Sequence, residues 1–154
     1  MINAFSTLTC TRRLEFDAAH RVMLHESKCK YLHGHRYVVE ATFAANQSSN
    51  QSNAQLDELG RVIDFGVIKQ LLGAWLDTHF DHNTILHEAD KPLGAMIASQ
   101  LSQDIYYLPY NPTAENIAKY LLEIVCPPLF ANCAITCTHI RVYETPNCYA
   151  DARL

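Results

Sequence analysis

Residues 7–17, TLTCTRRLEFD, and residues 36–45, RYVVEATFAA, are the two stretches from which the architecture follows. Apolar side chains alternate with mostly polar ones in both stretches: Leu8, Cys10, Leu14 and Phe16 in the first, and Tyr37, Val39, Ala41, Phe43 and Ala45 in the second. A period of two is typical of a strand with one buried face. We therefore expect two long strands, joined by a link over residues 19–35 that is rich in histidine, cysteine and charge.

Two longer helical patterns follow these strands. The first covers residues 66–79, has Asp64 as its N-cap, and buries a face made of Ile68, Leu71, Leu72, Trp75 and His79. The second covers residues 113–125 and is ended by Pro127 and Pro128. Between them, residues 84–111 look irregular apart from a short helix around residues 93–101. Residues 46–53, NQSSNQSN, predict a flexible surface loop.

Two final strands, residues 134–143 and 148–153, complete the order ββααββ. This order predicts an α+β fold, with an antiparallel sheet that carries two helices on one face. The length of 154 residues and the 49% hydrophobic content fit one domain, residues 1–154, with a substantial core.

Composition excludes several classes of function. The net charge is −4, so no basic surface predicts nucleic-acid binding. No apolar stretch is long enough for a signal-peptide core or a membrane span, so we expect a cytoplasmic protein without a membrane partner. The six cysteines include no Cys-x-x-Cys pair, and in this context most are expected to be buried thiols rather than disulfides.

Three histidines give the sharpest chemical signal. His33 and His35 begin a predicted strand two residues apart, so both imidazoles project to one face, and His20 ends the strand expected to lie beside it. Three imidazoles that converge in this way suit Zn²⁺, and they leave a fourth coordination position for water or substrate. The sequence therefore predicts a catalytic zinc site.

Further candidates surround this motif. Cys29, beside Lys28, Lys30 and a dication, should ionise readily and serve as base or nucleophile, or else close the site as a fourth zinc ligand. Asp81 beside His82 fits an acid–base relay. A carboxylate at a strand end, Glu144, suits a guanidine-like edge. Taken alone, each of three features is weak evidence for a functional role: the Asp81–His82 dipeptide, the Glu144 carboxylate, and the helix start at Thr113 and Glu115.

In their order along residues 16–150, the segments FDAAHR, CKYLHGHRY, GRVIDF, DHN, NPTAEN and VYETPNCYA resemble the family of 6-pyruvoyl- and 6-carboxy-tetrahydropterin synthases. The resemblance implies the tunnelling fold, in which ββααββ subunits form trimeric barrels, often stacked as hexamers, with active sites at subunit interfaces. It implies that His20, His33 and His35 bind zinc, that Cys29 abstracts a proton, and that Asp81 and His82 complete a relay across a subunit boundary. Glu144 would hold the pterin ring, with Thr113 and Glu115 helping to line the pocket.

The short Cys-x3-His-Gly-His spacing resembles the carboxy-forming bacterial branch of this family, which serves queuosine synthesis. The expected reaction converts 7,8-dihydroneopterin triphosphate to 6-carboxy-5,6,7,8-tetrahydropterin, acetaldehyde and triphosphate. The alternatives are the pyruvoyl-forming reaction, a hydrolytic zinc enzyme and a zinc-stabilised binding module. The candidate cations for the triphosphate are Arg21, Lys28, Lys30 and Arg36.

Overall fold

The computed structural model describes residues 8–46 and 56–154, and within them six strands form one sheet. The four long strands are antiparallel neighbours in the order β1-β2-β5-β6: β1 (Thr9–His20), β2 (His33–Ala45), β5 (Ile135–Thr145) and β6 (Cys148–Arg153). These confirm the four predicted strands. The predicted polar loop falls, apart from Asn46, on residues 47–53, which lie outside the described residues, as does Thr7.

Two long helices cover one face of this sheet. Helix α1 spans residues 65–79 as Phe65–Ile68, a π-helical turn Lys69–Gly73, and Ala74–His79. Helix α3 spans residues 114–129 as Ala114–Tyr120, a π-helical turn Leu121–Val125, and Cys126–Leu129. The end predicted at residue 125 is wrong, because the helix continues as Cys126–Leu129, with Pro127 and Pro128 directly after the π-helical turn.

The segment between the long helices is more ordered than the sequence predicts. Its short helix is present as α2 (Lys91–Leu101), but β3 (Thr84–His87) and β4 (Ile105–Leu108) flank it and extend the sheet beyond β1 with parallel pairing. The full order is β4-β3-β1-β2-β5-β6. The described chain thus keeps the predicted α+β frame, with two long helices and the predicted short one, but its sheet is mixed rather than purely antiparallel.

The core lies between the long helices and one face of the sheet. Its strand members include Phe16, Tyr37 and Phe43, and its helix members include Ile68, Leu72, Leu76, Ile117, Leu121 and Val125. Because strand side chains alternate, the opposite face carries Arg13, Glu15, Asp17 and Arg36. His20, His33 and His35 continue the core face to the end of the β1–β2 pair. No helix in the described residues is long and apolar enough to cross a membrane.

Candidate metal centre and active site

The three predicted metal ligands converge at one end of the β1–β2 pair. His20 is paired with His33 in the strand register, and His35 follows two residues later on the same face. One donor atom from each imidazole lies within 4.8 Å of the other two. The antiparallel pairing therefore brings together side chains that are up to 15 positions apart in the sequence.

Hydrogen bonds at Nδ1 of His20 and His33 leave Nε2 of each ring free to bind a metal ion. The backbone carbonyl of Pro112 lies 2.8 Å from His20 Nδ1, and that of Tyr31 lies 2.7 Å from His33 Nδ1. Since a carbonyl only accepts, each Nδ1 carries the proton and each Nε2 keeps a free lone pair. These two Nε2 atoms are 3.2 Å apart. Two nitrogens about 2.0–2.1 Å from one tetrahedral ion would be about 3.3 Å apart.

His35 supplies a further sign that the group fits a metal ion. Its Nε2 is buried and has no hydrogen-bond partner, which is costly unless something binds there. Burial lowers the pKa of His20 to about 4, and it also lowers the pKa of His35, with the neighbouring imidazoles adding to the effect. Neutral imidazoles are the form that binds metals, so the three histidines could hold a metal ion near neutral pH.

Cys29 is not part of the close donor group. In the described part of the chain, the mutually close donors are the three histidines alone. This argues against a closed site with a fourth, cysteine ligand. The thiol instead lies in a short 3₁₀ turn, Lys28–Lys30, at the wall of an adjacent cavity.

This cavity, of about 210 Å³, brings together most of the other predicted site residues. It is lined by His20, Cys29, Thr113, Glu115 and Glu144, together with Val22, His25, Ala114, Cys148 and Tyr149. They come from the end of β1, the following loop, the start of α3, and the β5–β6 hairpin. A larger cavity of about 490 Å³ lies between β1 and α1, far from the imidazoles in the fold, and has no comparable set of chemical groups.

Glu144 faces both the cavity and the histidines. Its Oε1 lies 3.7 Å from His20 Nε2, and its side chain is about 28% exposed. Burial, and next the nearby Glu115 carboxylate, raise the pKa of Glu144, while His33 opposes the shift. A half-buried carboxylate of this kind is suited to bind a polar edge with two N–H donors.

Thr113 and Glu115 lie at the start of α3. The Thr113 hydroxyl accepts a hydrogen bond from the Asn116 N–H at 3.3 Å, so it caps the helix as predicted, and Glu115 occupies the first helical turn. Both residues also line the cavity. A hydroxyl used as a cap keeps its O–H available as a donor to a bound molecule.

Asp81 and His82 form a pair, but they lie away from Cys29 within the chain. His82 Nδ1 is 2.7 Å from Asp81 Oδ2, and His82 is held at φ 56° while its N–H donates to the Asp17 carbonyl. The His82 side chain is 79% exposed, beside Asp17 and Arg36 of the opposite sheet face. One chain therefore does not join this pair to the cavity of Cys29.

Two of the four cations considered for the triphosphate are engaged in ion pairs. Arg21 makes a two-pronged contact with the buried Asp90, and Arg36 pairs with Asp17 at 3.0 Å. Lys28 and Lys30 are exposed on either side of Cys29.

Other residues near the site were not found by sequence reasoning. His25 lines the cavity, and its Nδ1 accepts the Ser27 N–H at 2.9 Å. The Tyr37 hydroxyl is buried without a partner next to the His35 ring. Asn111 bonds the backbone of the Cys29 loop. The segment NPTAEN was the only available signal for Asn111, and it reads as an ordinary helix start.

All six cysteines are free thiols, as expected, but the expectation that most are buried is wrong. Only Cys126 and Cys137 are buried, whereas Cys148 is exposed and the other three are partly exposed. His79, as expected, packs on the helix face, with its ring centroid 4.6 Å from that of Trp75. These residues take no part in the metal group.

Comparisons with known proteins show the family of this chain. The model of the family described as 6-pyruvoyl tetrahydropterin synthase matches residues 9–154. The chain is 50% identical to the 6-carboxy-5,6,7,8-tetrahydropterin synthase of Rickettsia bellii over 94% of this chain and 99% of that protein. It is 49% identical to the protein of the same name from Rickettsia conorii, with the same coverage.

Solved structures show the same fold. A protein of Wolinella succinogenes described as uncharacterized superposes with a TM-score of 0.77 at 19% identity, over 96% of this chain and 98% of that one. The 6-pyruvoyl tetrahydropterin synthase of Caenorhabditis elegans superposes with a TM-score of 0.65 at 23% identity, over 97% of each chain.

Proposed function

Because the chain belongs to the 6-pyruvoyl tetrahydropterin synthase family, we propose that it converts 7,8-dihydroneopterin triphosphate to 6-carboxy-5,6,7,8-tetrahydropterin. One water enters, and acetaldehyde and triphosphate leave. The side-chain carbon retained as carboxylate is oxidised, while the ring and the departing two-carbon fragment are reduced, so no external redox partner is needed. The observation that carries the proposal is the cavity beside the three histidines, which is lined by the Cys29 thiol and the Glu144 carboxylate.

The choice of product is supported by the curated relatives. Proteins 49–50% identical to this chain carry the carboxy-forming name over nearly their full length. The spacing of Cys29 from the His-Gly-His motif supports the same branch. Such a product fits 7-deazaguanine synthesis on the way to queuosine, in the cytoplasm.

The metal that we propose is zinc. Its preference for imidazole nitrogen and tetrahedral geometry matches the two Nε2 atoms 3.2 Å apart and the unpartnered Nε2 of His35. When bound by His20, His33 and His35, a zinc ion supplies Lewis-acid stabilisation of a substrate oxygen that gains negative charge.

The carboxylate of Glu144 orients the substrate. It accepts hydrogen bonds from the 2-amino group and a ring N–H of the pterin, and its partial burial strengthens these bonds. Thr113 and Glu115 line the wall beside it, where the Thr113 O–H can donate to the ring. This arrangement directs the hydroxylated side chain of the substrate towards the histidines, because Glu144 and His20 face each other.

The thiolate of Cys29 is the base in the proposed mechanism. Its Sγ takes a proton from a side-chain carbon of the substrate, and the triphosphate is then eliminated. Asp81 holds the proton on His82 Nδ1, so Nε2 is the atom that exchanges protons with the substrate. The His82 side chain is highly exposed and does not line the cavity of Cys29. We therefore propose that it serves the site of a neighbouring subunit in a trimer or hexamer.

Product analysis tests the proposal directly. The zinc-loaded protein is incubated with 7,8-dihydroneopterin triphosphate and the products are identified by mass spectrometry. We expect 6-carboxy-tetrahydropterin and acetaldehyde in equal amounts. A 6-pyruvoyl product would assign the alternative reaction, in which triphosphate is eliminated without cleavage of a carbon–carbon bond. An absence of turnover by zinc-loaded protein would favour a binding module instead.

The role of Cys29 has its own test. Cys29→Ala should lower kcat at least about a hundredfold, because general base catalysis typically contributes 10²–10⁴-fold. The exposed Cys148 lines the same cavity, so Cys148→Ala is the matched control and should keep kcat within about threefold. Zinc content should stay the same in both variants. Unchanged turnover by zinc-loaded Cys29→Ala would show that another group is the base.

A further inference from the structure

One short segment, Asn111-Pro112-Thr113, contacts three separate parts of the site. The Pro112 carbonyl bonds His20 Nδ1 at 2.8 Å, and Thr113 lines the cavity while it caps α3. Asn111 bonds the loop that carries Cys29. The roles of His20 and Thr113 already follow from the site, whereas nothing in the proposed mechanism uses Asn111.

The Asn111 side chain bonds the backbone of Met23 twice. Its Oδ1 accepts the Met23 N–H at 2.8 Å, and its Nδ2 donates to the Met23 carbonyl at 3.0 Å. These two bonds have the pattern of one hydrogen-bonded residue pair in an antiparallel sheet, and they join residues 88 positions apart in the sequence. Among short side chains, only an amide offers a separate donor and acceptor for such a pair.

Asn111 is itself held in place. Its backbone carbonyl accepts the Asn116 side-chain amide and the Thr113 N–H, both at 2.9 Å. Asn116 belongs to α3, which packs into the core through Ile117 and Leu121. The two bonds to Met23 therefore connect the loop to a rigid part of the molecule.

Met23 is coupled to Cys29 by the shape of the loop. The N–H of the preceding residue, Val22, donates to the Cys29 carbonyl at 2.8 Å, and the His25 N–H donates to the Val22 carbonyl at 3.3 Å. The residues of the loop that flank Cys29 are largely exposed, so little packing holds it. A displacement of Met23 would thus carry Cys29 with it.

We propose that Asn111 is a positioning residue, which fixes the Cys29 loop against the same segment that orients His20. This inference rests on the proposed function, because it holds that Asn111 sets the distance between the proposed base, Cys29, and the three histidines. Asn111 touches neither the substrate cavity nor the metal group, so it acts through Cys29.

The test compares Asn111→Ala with Asn111→Asp in the full-length, zinc-loaded protein. Asp keeps an acceptor for the Met23 N–H but loses the donor to the Met23 carbonyl, so it should behave as an intermediate case. Asn46→Ala is the matched control, because Asn46 also bonds another segment through its side chain, at Thr136, remote from the site. The readouts are kcat and KM, amide hydrogen exchange of residues 21–32, and zinc content.

We expect Asn111→Ala to lower kcat about ten- to a hundredfold, since a misplacement of about 1 Å can cost on the order of a hundredfold. KM should change less than about threefold. Amides of residues 21–32 should exchange at least about tenfold faster, while those of α3 and the zinc content stay as in the wild type. If Asn111→Ala does not fold, the same readouts on Asn111→Asp decide the question.

Three results would overturn the proposal. The first is unchanged exchange in residues 21–32, and the second is faster exchange with unchanged kcat. The third is a loss of kcat that follows a loss of zinc, because Asn111 would then act on His20. If the wild type turns over no pterin substrate, the proposed function fails by itself. Hydrogen exchange and alkylation of Cys29 by iodoacetamide would still decide whether Asn111 holds the loop.

Discussion

His20 is the most deeply buried of the three imidazoles, with 1% of its surface exposed, and this burial controls its protonation. A proton on its ring would place a positive charge beside His33 and His35, whose ring centroids lie within 5.1 Å of the His20 ring centroid. The Pro112 carbonyl favours the charged form, but burial is the larger effect and the pKa falls to about 4. His20 is therefore neutral in the folded protein at pH values well above 4, and the neutral ring is the form that binds a metal ion.

This shift predicts a loss of stability in acid. The pKa of His20 is about 4 in the folded protein against an ordinary value of 6.5, so the unfolded chain binds the proton first. Above pH 6.5 the ring is neutral in both the folded and the unfolded chain, so it does not affect stability. As the pH falls from 6.5 towards 4, proton binding by the unfolded chain lowers the free energy of unfolding of the metal-free protein by about 3 kcal/mol. His35, whose pKa is also lowered, acts in the same direction.

Urea unfolding of chelator-treated protein at pH 7.5 and pH 4.5 measures this effect. The variant His20→Gln should lose less stability between the two pH values than the wild type, because it lacks the titrating ring. The variant Asn46→Ala, changed at a non-titrating side chain that bonds Thr136, is the control and should lose as much stability between the two pH values as the wild type. Equal losses in His20→Gln and the wild type would contradict the prediction.

Glu144 allows a second test at the residue scale. Glu144→Gln keeps the shape of the side chain but replaces one acceptor oxygen by a donor, which then faces a donor of the pterin. Charge-assisted hydrogen bonds are worth about 1.5–3 kcal/mol, so KM should rise about ten- to a hundredfold. Glu123→Gln, at an exposed position of α3, is the control and should leave KM unchanged. A normal KM in Glu144→Gln would remove this residue from substrate binding.

At the scale of elements, the β1–β2 pair is the part that builds the metal group. Gly34 lies between the two ligands of β2 and opposite Ala19. A Cβ on Gly34 would approach the Ala18 carbonyl oxygen to 3.1 Å, and this oxygen belongs to the backbone of a paired strand. A side chain at this position would therefore require the paired strands to shift by a few tenths of an ångström.

We expect Gly34→Ala to weaken metal binding about tenfold, because the strands must separate by a few tenths of an ångström and move His33 and His35 relative to His20. Competition with a chromogenic zinc chelator measures the affinity. Glu40→Ala, in the middle of β2 and on the opposite sheet face, is the control for a change within the strand. An unchanged affinity in Gly34→Ala would mean that the ligand geometry tolerates this shift.

The elements also show which parts of the fold sequence patterns could predict. Strands β1 and β2 were predictable because their alternation extends over ten or more residues and only one face is buried. β3 and β4 were missed because four residues are too few for a period to be visible, and in β3 Thr84, Ile85 and Leu86 are all buried.

At the scale of the whole molecule, the proposed mechanism depends on how chains assemble. His82 and Cys29 line different cavities of one chain. If both residues act on the same substrate, as we propose, a neighbouring chain would have to supply one of them. The proposed relay can be tested through this requirement.

Mixing two inactive variants tests the shared site. Cys29→Ala and His82→Ala are each expected to be nearly inactive, but co-refolded in equal amounts they should regain about a quarter of the wild-type activity, because a quarter of the interfaces join two intact residues. A mixture of His82→Ala with the double variant Cys29→Ala/His82→Ala is the control and should stay inactive. Mixtures that remain inactive would show that both residues act within one chain.

The local features followed from the order of amino acids alone: the long strands, the helix caps at Asp64 and Thr113, and the three histidines as a metal group. Alternation and capping depend on neighbours in the chain, so they can be read without the fold. The folded chain was needed to show that Glu144, Thr113 and Cys29 line one cavity, that Asn111 bonds the Cys29 loop, and that His82 lies elsewhere. These relations depend on the order of the strands and the packing of α3, which arise from contacts between residues up to 124 positions apart, as between His20 and Glu144.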